Sequence, residues 1–144
     1  MIYAPLTPDD ALRVVLDTNV VVALLVFADP RLVQLCESWN AGAIIALADE
    51  DTLAELNRVL RYPELRVDES RALDIGLRYR ERCAIIAPDS SGVGRLPRCR
   101  DPDDQKFLQL AHRGEAACLL TRDKELLRMK RAVSFRIISP ESAI

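Results

Sequence analysis

Histidine is almost missing from this sequence: of 144 residues only His112 is one. A metal-free ribonuclease that passes protons between two histidines is therefore excluded. His112 falls off the apolar stripe of its own segment and reads as a solvated, inert side chain. Cysteine is scarce and scattered. Cys36, Cys83, Cys99 and Cys118 form no CxxC pair, so no zinc knuckle is encoded. The four read as reduced, mostly buried thiols of a cytoplasmic protein. Long apolar runs are lacking as well. The longest, residues 20–28, is far short of the roughly 20 residues that span a bilayer. Residues 1–10 are acidic and contain proline, which does not make a signal peptide. Phosphate-cradling glycine loops are absent too: Gly92-Val93-Gly94 is not GxGxxG, and no Walker motif occurs. Finally, Asp17-Thr18-Asn19 lacks the second acid of an Asp-x-Asp phosphatase, which argues against Asp17 as a covalent nucleophile.

What is present is an ordinary globular composition, 49% hydrophobic and 29% charged. The length suits one domain, residues 12–144 behind a tail at 1–11. Such a chain buries roughly 68–70% of its unfolded surface, enough for a real core. The net charge of −2 hides an asymmetry. Residues 1–94 carry 9 Lys and Arg against 15 Asp and Glu, a net of −6, while residues 95–136 carry 11 against 6, a net of +5. The C-terminal third thus offers either a basic surface for phosphates or ordinary solvated helix faces.

Apolar β-branched runs at 13–16, 43–47, 84–87, 116–120 and 134–138 read as strands. Helical spacing or capping marks 19–28, 30–41, 49–61, 68–83, 101–113 and 122–130. In the fourth of these, Leu73, Leu77 and Arg80 lie on successive turns, the leucine stripe reads as core, and Gly76 in mid-helix suggests close packing. Residues 88–100 form the long loop. Strands alternating with helices imply a parallel sheet covered on both faces.

Within that order, Asp17 stands in a run that is otherwise about to be buried. An ionised carboxylate there needs a pairing cation or a metal. Ligands of an open parallel sheet bind beyond the carboxyl ends of its strands. Asp17 and Asp123 each lie just past such an end. Asp104 leads Phe107, Leu108 and Ala111 at spacings of three, four and seven, so it sits on a buried stripe. The competing reading makes it a first-turn acid behind an N-cap at Asp101 with Pro102 first in the helix. Glu55 flanks the Leu53, Leu56 and Leu60 stripe, where acids are commonly solvated. If all four meet, repulsion raises their pKa values or a divalent ion neutralises them. All-oxygen donors suit Mg²⁺ or Mn²⁺.

Taken in order, Leu16-Asp17-Thr18-Asn19-Val20, Glu55 in Thr52–Leu60, Asp101-Pro102-Asp103-Asp104-Gln105-Lys106-Phe107-Leu108 and Leu120-Thr121-Arg122-Asp123 resemble the PIN domain. More narrowly they resemble the PIN-family toxins of bacterial and archaeal toxin–antitoxin pairs. The resemblance covers about residues 12–139 and implies a three-layer α/β/α sandwich around a five-stranded parallel sheet in the order 3-2-1-4-5. It implies a metal-dependent endoribonuclease using Mg²⁺ or Mn²⁺. Asp17 and Asp104 would be the main ligands, with Glu55 and Asp123 binding directly or through water. Thr18, Asn19 and Thr121 match the polar supporting positions. An RNA substrate, a cognate antitoxin and a homodimer follow from the same likeness, and no membrane does. The sequence departs at Ala23, where many relatives carry Ser, and in a short connection to Pro30. Arg95, Arg98, Arg100 and Arg122 are the candidates for phosphate contact. Two rival readings remain: a PIN-fold RNA- or protein-binding regulatory module that does not cleave, and a nuclease of RNA maturation.

Overall fold

The computed structural model describes residues 11–89 and 92–142, so the tail at 1–11 lies outside them except for Ala11. Its sheet has five parallel strands: β1 (Leu12–Leu16), β2 (Ile44–Ala48), β3 (Cys83–Ile85), β4 (Cys118–Leu120) and β5 (Arg136–Ile138). Their order is β3-β2-β1-β4-β5, as the resemblance implies, with Val15 opposite Leu47 on one side and Leu119 on the other. Side chains alternate across the sheet. Val14 and Leu16 face a core shared with Val20, Leu35 and Leu56, while Val15 faces Phe107, Leu108 and Ile137 on the other side.

The helices are α1 (Thr18–Leu25), α2 (Val33–Asn40), α3 (Glu50–Val59), α4 (Glu69–Arg82), α5 (Gln105–Arg113) and α6 (Lys124–Leu127). The first four cover one face, and α5 and α6 cover the other. Helix α1 stops earlier than the apolar run does, because the chain turns at Ala28, whose φ is 47°. Asp29 then caps the 3-10 turn Pro30–Leu32 that leads into α2. Among the described residues no single helix is long and apolar enough to cross a membrane.

Three expectations need correction. The buried face of α4 is Ala72, Ile75, Gly76 and Tyr79, whereas Leu73 and Leu77 are 52% and 53% exposed and Arg80 pairs with Glu50 at the surface. Gly76 lies against α3, where a Cβ would come within 2.4 Å of Asn57 Oδ1 and the Asn57 side chain would have to move aside. The thiols are all free, but only Cys118 is fully buried. His112 is half-buried, not solvated, with its ring so close to Gly92 that a Cβ there would lie 2.6 Å from Nε2.

Candidate active site

Asp17 is 6% exposed and occupies the turn between β1 and α1, where its backbone N–H donates to the Leu120 carbonyl at 3.0 Å. That bond ties the ends of β1 and β4 together, so Asp17 and Thr121 emerge side by side. The Thr121 hydroxyl donates to Asp17 Oδ2 at 2.8 Å and accepts the Asp123 N–H at 2.9 Å. Thr121 is fully buried and thereby fixes both acids. Asp123 also caps α6, accepting the Glu125 N–H at 2.8 Å. Across the rim, the Thr18 hydroxyl donates to Glu55 Oε2, which joins α1 to α3. Asn19 is exposed at the mouth of a cavity of about 510 Å³ that Ala23, Phe27 and Arg122 also line.

Asp104 ends the 3-10 turn Pro102–Asp104 and makes no cap bond of its own. Asp101 does the capping, accepting the Asp103 N–H at 2.9 Å. The competing reading therefore holds for its cap and its turn: Asp101 is the N-cap, Pro102 comes first, and Asp104 is an acid of that first turn. Partial burial, then the charges of Asp123, Asp17 and Asp101 and a hydrogen bond with Asp123, push the Asp104 carboxyl up to about 7. Burial likewise raises Asp17, helped by Glu55 and Asp123 and opposed by the Thr121 hydroxyl. These mutual effects place Asp17, Glu55, Asp104 and Asp123 within one electrostatic neighbourhood, although they come from four separate segments.

Sequence reasoning missed Lys106. Its ammonium lies 3.0 Å from Glu55 Oε1, with the two side chains 20% and 13% exposed. The partners are 51 residues apart, and the only local sign is a cation two places after Asp104. Gln105 was also missed. It accepts the Cys99 N–H at 2.7 Å and donates to the Pro97 carbonyl at 3.0 Å, pinning the basic loop against the start of α5. Arg95, Arg98 and Arg100 are exposed on or beside that loop, with Arg100 3.9 Å from Glu125. Arg122 differs, since it is engaged by Asp29 at 3.0 Å and by Glu141.

The donor set is all oxygen and carries more negative charge than its neighbours neutralise, which fits a hard dication. Asp17, Asp104 and Asp123 are the residues that would hold it. Among the described residues no three His, Cys, Asp or Glu side chains are already gathered as a cage. Gathering three ionised carboxylates as ligands needs a cation to offset their repulsion.

A five-stranded parallel sheet of this order, covered by helices on both faces, defines an α/β domain with acids at its carboxyl rim. The chain belongs to the PIN domain family, whose model matches residues 13–125. Members of that family are generally nucleases, and they typically use divalent metals. The chain is 27% identical over 122 residues to the uncharacterized protein MJ1680 of Methanocaldococcus jannaschii, covering 83% of this chain and 76% of that protein. In fold it is similar to the crystal structure of PAE2754 from Pyrobaculum aerophilum, with a TM-score of 0.56 at 17% identity, over 85% of this chain and 87% of the other.

Proposed function

We propose that this chain is a Mg²⁺- or Mn²⁺-dependent endoribonuclease that acts as the toxin of a toxin–antitoxin pair. The observation that carries the nuclease reading is the gathering of Asp17, Asp104 and Asp123 at one rim, where burial first and then the neighbouring acids push Asp104 up to about 7. Asp17 and Asp104 would hold the dication, Asp123 would complete its shell, and Glu55 would close the rim. When bound, the ion acidifies a water and steadies the charge that grows on the leaving oxygen. The chain's own residues prepare that chemistry. Thr121 locks Asp17 in one rotamer through its 2.8 Å bond, so little reorganisation is needed when substrate arrives. Thr18 does the same for Glu55. The loop pinned by Gln105 leaves Arg98 and Arg100 exposed, where they can contact phosphates.

The toxin role, the antitoxin partner and a homodimer rest on the resemblance of the four motifs to the PIN-family toxins. The test is cleavage of a structured RNA with Mn²⁺ by wild type and by Asp17→Asn. Cleavage should require Asp17, and equal cutting by the variant ends the nuclease reading. Growth arrest on expression, relieved by the product of an adjacent short reading frame, tests the toxin role separately.

A further inference from the structure

Glu55 differs from the other three acids in its company. Its Oε1 lies 3.0 Å from the Lys106 ammonium and 3.8 Å from Arg58 Nη2, and its Oε2 accepts from the Thr18 hydroxyl. Two cations and a hydroxyl therefore satisfy this carboxylate, and Lys106 approaches it from another element, at the start of α5. No basic side chain is within ion-pair distance of Asp17, Asp104 or Asp123 among the described residues. Their partners are a hydroxyl, backbone N–H groups and one another.

Given the nuclease reading, on which this step rests, we infer that Lys106 is the second cation of the site. It takes Glu55 out of metal ligation, and the site then holds one dication, on Asp17, Asp104 and Asp123. A carboxylate has about four lone-pair positions, so lone pairs are not what bars an ion from Glu55. The bar is charge. An ammonium in contact with Oε1 repels a dication at the same oxygen, and in a partly buried rim that repulsion is poorly screened. Lys106 is thus a positioning residue acting through Glu55. It supplies a fixed positive charge at the Glu55 carboxylate, which would otherwise be free to hold a second ion.

The test counts bound Mn²⁺ by electron paramagnetic resonance and calorimetry on the full chain, with circular dichroism to verify folding. Wild type should bind one ion per chain, and Lys106→Arg should do the same. Lys106→Met should bind a second, weaker ion, and adding Glu55→Gln should remove it again. Two ions in wild type overturn the inference, as does a folded Lys106→Met that still binds one. If Lys106→Met fails to fold, Lys106→Gln carries the same comparison, and the wild-type count is decisive alone. Failure of the Lys106 role is separable from failure of the nuclease reading. Two ions with Asp17-dependent cleavage sink only the role of Lys106, whereas the expected counts with Asp17-independent cleavage sink only the nuclease.

Discussion

Asp104 is where a single side chain has the largest say. Its carboxyl stands at about 7 in the folded chain against an ordinary 3.8. A folded pKa above the unfolded one means that folding favours the protonated form. That contribution is complete below about pH 4 and is lost as the pH climbs through about 7. Asp17 is shifted in the same direction. The dication-free protein should therefore melt at a lower temperature at pH 8 than at pH 5.5, and Asp104→Asn should flatten that part of the profile. Dications need ionised ligands, so Mn²⁺ affinity should rise across the same interval. Calorimetric melts from pH 4 to 8, with and without Mn²⁺, measure both trends. An unchanged slope in Asp104→Asn would mean that neither burial nor the neighbouring acids raise Asp104 in the folded chain. Cys99 reports on the same field: burial and the nearby charges of Asp104, Asp101 and Asp123 raise its thiol to about 11, so it is a poor nucleophile at neutral pH.

At the scale of elements, α5 is held at both ends. Its first turn brings Lys106 to the site, and its last turn sends Arg113 into an ion pair with Asp49, the N-cap of α3. Both side chains are nearly buried, at 11% and 6% exposure. Removing one partner of such a pair leaves a buried charge alone, which costs about 3–5 kcal/mol. Arg113→Met should lose that much in urea unfolding. Asp49→Asn keeps the capping bond to the Thr52 N–H, so it tests the charge apart from the cap. A loss under about 1 kcal/mol in Arg113→Met would mean the pair is replaceable by packing. Elements were also where the sequence misled. Counting apolar residues put Leu73 and Leu77 of α4 inside, but the face of α4 turned to the core is Ala72, Ile75, Gly76 and Tyr79. Periodicity weighs hydrophobicity and cannot weigh the distance between two helices.

For the whole molecule, what was legible depended on range. The strand order follows from the motif resemblance, and the four acids could be found because each stands beside a strand end, a helix start or an apolar helix stripe. The Lys106–Glu55 bond was invisible because it joins α5 to α3 with no local signature. The charge asymmetry was visible, but its use was not: Arg122 belongs to the basic third yet is held by Asp29 and Glu141, while Arg98 and Arg100 are exposed. That difference yields a prediction about RNA binding. Each phosphate contact on a single strand contributes about 0.7 to the slope of log K against log salt. In an Asp17→Asn background, which leaves the RNA uncut, Arg98→Ala with Arg100→Ala should lower that slope by about 1.4. Mn²⁺ affinity should stay as it was in the parent, since neither side chain is an ion-pair partner of the rim acids. Arg122→Ala should do the reverse, keeping the salt slope and lowering the melting temperature, because it breaks the link between the 3-10 turn at Pro30–Leu32 and the one at Pro140–Ser142. Fluorescence anisotropy from about 50 to 300 mM KCl separates the cases. A slope that survives the double substitution would move the RNA path off this loop and toward the cavity beside Asn19 and Phe27.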